Sequence, residues 1–213
     1  MPTAKYLNNA AVIVPRTTGI NEIDFEKRAL NYWYYKRGLD NKPFKDDSYA
    51  KAGEVGHLLV EAAIKGVELK DKDFPTDGAR ELGLKSFAAY QRWQSLNKIR
   101  WTDSELSLVS EQYQYGGTID LVGVEEGANH YSLGDIKTGK LYPQHLCQIA
   151  AYGHLFEECT GNHVANYHLL RFDRETGLFQ HAYYDAEHMK VPWEAFLLKR
   201  RLYDKLKIIG KMI

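Results

Sequence analysis

A short β-hairpin in the second half of the chain constrains the fold more than any other feature of the sequence. The runs TIDLVGV and HYSLGDIK both have strand character, and EEGAN between them has the composition of a turn. If the turn is centred between Gly127 and Ala128, Asp120 lies opposite Asp135, with their Cβ atoms about 5 Å apart. Two carboxylates that face each other on a sheet repel, so this pair requires a nearby cation or a raised pKa.

The hydrophobic pattern on both sides of the hairpin predicts several helices and further strands. In chain order these are helices at 22–37, 46–65 and 77–97, a β-rich run at 105–115, the hairpin, a helix at 142–158, strands near 163–172 and 178–184, and a helix at 186–208. This order is typical of an α/β or α+β protein with a mixed sheet. Because the chain has 213 residues and no repeat or linker, we expect one domain, 1–213, with a helical front at about 20–97 and a sheet with helices at about 104–208.

The charge balance and the cysteine count limit the classes of protein that fit. Lys plus Arg and Asp plus Glu number 28 each, so nucleic acid would have to be held by a local basic patch. Cys147 and Cys159 lie 12 residues apart in one predicted helix and cannot pair within it. We therefore expect a reduced, cytoplasmic protein (in the host cytoplasm if viral), with too few ligands for an iron–sulfur cluster. No apolar run reaches the roughly 18 residues of a membrane span.

The hairpin also gathers residues that can carry chemistry. Asp135 and Lys137 are two positions apart on a strand and project from one face, so they converge with Asp120 on one patch. Two carboxylates and a few waters are ligands that Mg²⁺ or Mn²⁺ takes, and a nearby ammonium can orient or deprotonate water or neutralise phosphate. These residues suit phosphodiester hydrolysis, although an Asp-x-Lys strand taken alone is usually a surface salt-bridge cluster.

Four motifs occur along the chain in a characteristic order. They are His57 within GEVGHLLVEA, Gly-Thr-Ile-Asp at 117–120, Gly-Asp-Ile-Lys-Thr-Gly-Lys at 134–140, and Gln148-x-x-x-Tyr152. Their order and spacing resemble the PD-(D/E)xK nucleases, specifically the RecB-like exonuclease branch, over roughly residues 45–160. The chain departs from the family pattern in having Asp135 instead of Glu at the variable acidic position and Ile119 instead of the proline before Asp120.

The resemblance implies a restriction-endonuclease-like core, in which a central mixed β-sheet is flanked by helices. It further implies that Asp120, Asp135 and the backbone carbonyl of Ile136 bind one or two Mg²⁺ or Mn²⁺ ions. His57 would be an additional metal ligand, and Lys137 would be the catalytic lysine. The implied partner is DNA, either single-stranded or at duplex ends.

His57 and Glu111 each allow a structural interpretation beside the functional one. A lone histidine on a helix is more often a satisfied core residue. Here, however, Ala52, Gly53 and Gly56 would let the helix approach the sheet closely enough to bring the imidazole to the metal, which favours the ligand role. Glu111 precedes the Gly-Gly pair, where members of the resembled family often have an acidic residue of the metal site; the alternative is an exposed strand residue.

Four residues after the hairpin are candidates for substrate contact. Gln148 and Tyr152 are i and i+4 on a helix, away from its apolar stripe, and would face the site or the DNA. The alternative is a polar helix edge with a half-buried tyrosine. Thr138 and Lys140 follow the strand that carries Lys137 and could hold phosphate, although exposed lysines ordinarily serve solubility.

The leading hypothesis is a metal-dependent deoxyribonuclease, and more specifically an exonuclease that acts on DNA ends or single strands in recombination and repair. It would act alone, as an oligomer or beside a recombination partner protein. One alternative is an endonuclease of the restriction or junction-resolving type, which usually lacks His57 and the Gln148–Tyr152 pair. Another is a non-catalytic DNA-binding module of the same fold, against which the intact Asp120, Asp135 and Lys137 argue.

Overall fold

The computed structural model describes residues 5–23, 28–41 and 48–212. Its helices are α1 (Thr17–Asn21), α2 (Arg28–Leu39), α3 (Ser48–Lys65), α4 (Asp77–Leu96), α5 (Pro143–Thr160) and α6 (Lys190–Ile209), with a 3₁₀ turn at Asp71–Asp73. Its strands are β1 (Tyr6–Leu7), β2 (Ile13–Val14), β3 (Ile99–Ser110), β4 (Tyr115–Glu125), β5 (Tyr131–Lys137), β6 (Val164–Phe172) and β7 (Phe179–Asp185). No helix in the described ranges is long and apolar enough to cross a membrane.

The central sheet has the strand order β3-β4-β5-β6-β7 and is mixed. Its neighbouring strands are antiparallel except for β5 and β6, which are parallel because α5 carries the chain from one end of the sheet back to the other. The β4–β5 hairpin has the register expected from its turn, since Leu121 pairs with Gly134 and Val124 with Tyr131. Asp120 lies one residue beyond the last pair of this ladder.

Helices cover both faces of the sheet. Alternate residues of each strand point to opposite faces, and they contribute to two separate apolar clusters. One cluster joins the sheet to α1, α5 and α6, and its strand residues include Val122, Leu133 and Leu169. The other joins the sheet to α3 and α4 through Leu121, Ile136 and Leu170. The prediction of an α/β protein with a central mixed sheet flanked by helices is therefore confirmed.

Several element boundaries differ from those predicted. The strand that precedes the hairpin begins at Ile99 and ends at Ser110, so the first turn lies at 111–114 and not at the Gly-Gly pair. Both glycines instead belong to β4, where a Cβ at Gly116 would lie 2.3 Å from the Tyr6 ring. The predicted first helix extends into 24–27 and the predicted cap of the second into 46–47, and these positions lie outside the described residues.

Candidate active site

Asp135 is the most deeply buried ionisable group of the hairpin. It lies near the carboxyl end of β5 and its exposed fraction is 0%. Lys137 Nζ lies 2.6 Å from Asp135 Oδ2, yet neither carboxylate oxygen accepts a hydrogen bond of normal geometry from the described residues. Burial raises the pKa of Asp135, and the charge of Asp120 raises it further against the opposing effect of Lys137. A fully buried carboxylate is costly unless it is paired with cations, so these oxygens are suited to Lys137 and to a metal ion.

Asp120 lies beside this pair and is fixed by the neighbouring strand. The backbone amide of Ile136 donates a hydrogen bond of 2.7 Å to Asp120 Oδ2. The charges of Asp135 and Asp120 together outweigh the effect of burial on Lys137 and raise the pKa of its ammonium. Lys137 is therefore a stable cation within a group of carboxylates, and the role of the Ile136 carbonyl as a metal ligand stays a prediction.

His57 and Glu105 complete a cluster around Asp120. His57 Nδ1 lies 3.5 Å from Glu105 Oε1 and 3.8 Å from Asp120 Oδ2. One ligand atom from each of the three residues lies within 4.8 Å of the other two, which is the spacing of groups that can share one metal ion. Two carboxylates and an imidazole, with waters, suit a divalent cation such as Mn²⁺ or Mg²⁺. The structure thus brings together His57, Asp120, Asp135 and Lys137, four of the residues that the sequence indicated.

The small residues of α3 explain how His57 reaches the sheet. Ala52 is fully buried, and a Cβ at Gly53 would lie 3.0 Å from Thr138 Oγ1 just after β5. A Cβ at Gly56 would lie 3.4 Å from Ser86 on α4. The helix therefore packs closely against both the sheet and α4.

The carboxylates around His57 raise the pKa of its imidazole. Burial lowers this pKa, but the charges of Asp120 and Glu105 have the larger combined effect, and the net shift is upward. A metal ion bound by His57 would therefore compete with a proton for the same nitrogen.

Glu105 was missed by the sequence interpretation. In the register of the two strands it lies on edge strand β3, opposite Asp120. The turn at 111–114 sets that register, because the pairs run without a shift from Ser110 with Tyr115 to Asp103 with Val122. Its φ of 53° lies in the left-handed region, which residues other than glycine seldom adopt. Backbone strain of this kind is concentrated at functional sites. The pairs on either side of Glu105 are Ser104 with Leu121 and Leu106 with Ile119.

The structure does not bring Glu111, which was expected to help bind the metal, to the carboxylate cluster. Glu111 lies in the turn after β3, six residues from Glu105, which is on the order of 20 Å along a strand. Its Oε1 accepts a hydrogen bond of 2.6 Å from the backbone amide of Asn9, and its backbone carbonyl accepts one from Gln114. Glu111 therefore stabilises the N-terminal segment against this turn, and Glu105 provides the acidic group of the cluster.

Gln148 and Tyr152 lie inside the molecule and not on a polar helix edge. Gln148 Nε2 donates a hydrogen bond of 2.9 Å to the Tyr152 hydroxyl, and both side chains are buried. Burial raises the pKa of Tyr152, and Asp120 and Asp135 raise it further, which places the ring near both carboxylates. A Cβ at Gly117 would lie 2.6 Å from this ring, so the glycine of the Gly-Thr-Ile-Asp motif makes room for Tyr152. Substrate contact by this pair stays a prediction.

An open cavity of about 530 Å³ lies over the cluster and is lined by α3, β3, β4 and the segment after β5. Its lining includes His57, Glu105, Asp120 and Thr138, together with Arg174 from the β6–β7 turn. Arg174 Nη1 donates a hydrogen bond of 3.0 Å to Thr138 Oγ1. A guanidinium and a hydroxyl therefore lie beside the acidic cluster, where a phosphate could contact them. Lys140, two residues after Thr138 in the chain, is exposed.

The strain at Glu105 gives a testable prediction. Glycine adopts a φ of 53° without steric cost, so Glu105→Gly should be about 1 kcal/mol more stable than Glu105→Ala in urea unfolding of the metal-free protein. Asp103, on the same strand but without a positive φ, is the control, and there the glycine variant should be the less stable of the two. The same order at both positions would contradict the strained conformation.

Comparison with known proteins gives a structural similarity and no sequence similarity. The chain matches no protein-family profile and no curated protein sequence. Among solved structures it is similar to a protein from Eubacterium rectale named "Putative exonuclease", with a TM-score of 0.55 and 8% identity over 94% of this chain and 82% of that one. At this identity, the similarity shows that the two proteins share a fold.

Two structures of LHK-Exo are also matched. The complex with dAMP gives a TM-score of 0.39 at 12% identity and covers 94% of this chain and 95% of that chain. The alkaline exonuclease (LHK-Exo) from Laribacter hongkongensis gives a TM-score of 0.33 at 15% identity and covers 75% of this chain and 84% of that chain.

Proposed function

We propose that this protein is a divalent-metal-dependent deoxyribonuclease that hydrolyses phosphodiester bonds, as an exonuclease on DNA ends or single strands. The observation that carries the proposal is the buried Asp135 carboxylate. It pairs with Lys137 Nζ at 2.6 Å, accepts no further hydrogen bond of normal geometry from the described residues, and adjoins Asp120, whose carboxylate forms a cluster with His57 and Glu105. Several carboxylates that surround one lysine ammonium are suited to binding a metal ion beside a reacting phosphate.

The residues present fit Mg²⁺ or Mn²⁺. Asp120, Glu105 and His57 would hold the ion, with Asp135 as a further ligand. When bound, the ion would supply Lewis-acid polarisation of a phosphate oxygen and lower the pKa of a bound water. Lys137 would orient the attacking water or stabilise charge that develops on the phosphate, because its ammonium lies on the same face as the carboxylates.

The substrate would lie in the open cavity above the cluster. Arg174 can hold a phosphate there, Thr138 can donate its hydroxyl, and exposed Lys140 can contact the strand beyond. This local set of donors supplies a basic contact in a chain whose net charge is zero. We further propose that 1–213 forms one nuclease domain, since His57 from the helical front shares a cluster with Glu105 and Asp120 of the sheet.

The preference for exonuclease activity rests on the RecB-like order of the four motifs and on the fold shared with the Eubacterium rectale protein named "Putative exonuclease". Such an enzyme acts in recombination and repair, either alone, as an oligomer or with a partner protein. An endonuclease of the restriction or junction-resolving type and a non-catalytic DNA-binding module are the alternatives.

Digestion of linear and closed circular DNA distinguishes these functions. With Mn²⁺ or Mg²⁺ we expect end-labelled linear DNA to be degraded and closed circular single-stranded DNA to persist, because an exonuclease must engage an end. Circles cut as fast as linear DNA would indicate an endonuclease. Metal-dependent DNA binding without any cleavage would indicate the non-catalytic module.

A further inference from the structure

The C-terminal helix α6 has apolar residues on two opposite sides. On one side Trp193 and Phe196 are buried in the cluster that joins α6 to α5 and the sheet. On the other side lies an aliphatic stripe that is exposed to solvent; its members are Leu198, Leu202, Leu206 and Ile209, with exposed fractions of 64%, 43%, 44% and 52%. A surface helix normally has a polar face on the solvent side, so this stripe is a candidate for binding another molecule.

The four residues of the aliphatic stripe form one continuous helix face. Leu198, Leu202 and Leu206 follow one another at intervals of four residues, and with 3.6 residues per turn all four members lie within about 80° of one another. From Leu198 to Ile209 the stripe extends about 16 Å along the helix axis. Every residue from Asp204 to Ile209 is exposed, so the described part of the chain does not bury the last turns of α6.

The charge around the stripe is strongly positive. Positions 198–212 have Asp204 as their one acidic residue and six basic residues, which are Lys199, Arg200, Arg201, Lys205, Lys207 and Lys211. Asp204 pairs with Arg200, whereas Arg201 and Lys205 are exposed and form no ion pair with the described residues. In helical projection Arg201 lies about 60° and Lys205 about 20° from Leu198. The stripe is therefore accompanied by two cations on its own side of the helix.

This combination favours an acidic helix as the occupant. Apolar residues at intervals of three and four along one face are the pattern by which one helix packs against another. A second copy of α6 on the stripe would bring like charges together, which opposes binding, whereas acidic side chains would pair with Arg201 and Lys205. Helices that lie on membranes commonly have Trp or Phe on the membrane side, but Trp193 and Phe196 face the core.

We propose that the aliphatic stripe of α6 binds an acidic amphipathic helix of a partner protein. The apolar residues of the partner pack between the leucines, and its Asp and Glu side chains contact Arg201 and Lys205. α6 covers the face of the sheet opposite to α3, which carries His57, so the bound partner leaves the cavity over the carboxylate cluster open. The proposal adds an interaction surface to the nuclease assignment and does not depend on it.

Two synthetic helical peptides of about 20 residues test the chemistry of the surface. Both have leucines at the spacing of the stripe, and the flanking positions are Glu in one peptide and Lys in the other. In fluorescence anisotropy the acidic peptide should bind wild type at least about tenfold more tightly than the basic one, because only the acidic peptide can pair with the two cations. The difference should decrease as salt rises, since exposed charges are screened.

Three double variants locate the binding site. Leu202→Ser/Leu206→Ser should weaken binding of the acidic peptide at least about tenfold through the loss of apolar contacts, while the Tm stays near that of wild type because both side chains are exposed. Arg201→Gln/Lys205→Gln should remove the preference for the acidic peptide. Val67→Ser/Leu178→Ser is the matched control, because these two aliphatic residues are 57% and 68% exposed outside α6, and it should leave the affinity unchanged.

Other occupants of the stripe give different results. Dimers of wild type in analytical ultracentrifugation that Leu202→Ser/Leu206→Ser does not form would identify a second copy as the occupant. Sedimentation with phosphatidylserine vesicles, without binding of either peptide, would identify a membrane surface. Either result would overturn the proposal, as would absence of acidic-peptide binding, equal affinity for the two peptides, or equal affinity of wild type and Leu202→Ser/Leu206→Ser. These measurements use neither DNA nor metal, so their outcome is independent of the proposed nuclease activity.

Discussion

Lys137→Met is expected to reduce metal-dependent cleavage of linear DNA by at least about a hundredfold, the range for losing an electrostatic or acid–base group. Its ammonium lies 2.6 Å from Asp135 Oδ2 on the face that would hold the phosphate, and methionine keeps much of the side-chain length without the charge. Because lysine does not ligate the ion, Mn²⁺ should still raise the Tm of the variant. Single-turnover digestion and thermal melting with and without Mn²⁺ measure the two effects.

The same substitution should make the metal-free protein less stable, since it leaves the fully buried Asp135 carboxylate without its ion pair. Lys140→Met is the matched control, because Lys140 is exposed three residues further along the chain, and it should reduce cleavage only modestly. Cleavage by Lys137→Met at close to the wild-type rate would show that the Asp-x-Lys pair is structural only.

Glu105→Gln is expected to reduce cleavage by about a hundredfold or more and to raise the Mn²⁺ concentration needed for activity. Glu105 Oε1 lies 3.5 Å from His57 Nδ1, and the amide keeps the shape of the side chain while removing the charge that a divalent cation requires. Loss of a group that only orients a metal ligand lowers metal affinity or activity about 10- to 100-fold. Loss of a ligand such as Glu105 should therefore lower them by at least the upper end of that range. Metal titrations of the cleavage rate give both quantities.

Glu111→Gln is the matched control for this prediction, because Glu111 carries the same functional group on the turn beyond β3. Its substitution should leave the metal dependence unchanged. If Glu111→Gln impairs metal activation more than Glu105→Gln does, the assignment of the cluster is wrong.

The hairpin could be predicted from the sequence because its determinants are local. A short turn with Gly127 at a φ of 80° fixes the register of β4 and β5, and strand alternation then places Asp135 and Lys137 on one face. His57 could be anticipated from the glycines on its own helix, and the helix approaches the sheet as they suggest.

Glu105 could not be found in the same way. Its place opposite Asp120 follows from the turn at 111–114, because the β3–β4 pairs run without a shift from Ser110 with Tyr115 to Asp103 with Val122. The sequence analysis placed the end of this strand at the Gly-Gly pair, and the family resemblance indicated Glu111. Without the correct turn, strand alternation could not bring Glu105 opposite Asp120.

The burial of one predicted pair depends on tertiary packing. Gln148 and Tyr152 were expected to face the site or the DNA, and the structure encloses them beside the carboxylates, because α5 is a crossover helix that is buried on most of its sides. The depth of this burial is not encoded in the spacing of neighbouring residues.

The most direct test of the nuclease assignment is the release of labelled nucleotides from linear DNA by the purified protein. Wild type should release nucleotides only when Mg²⁺ or Mn²⁺ is supplied, and Asp135→Asn, purified in parallel, should be at least about a hundredfold slower. Failure of the wild type to cleave single-stranded or duplex linear DNA with either metal, or equal rates for wild type and Asp135→Asn, would contradict the assignment.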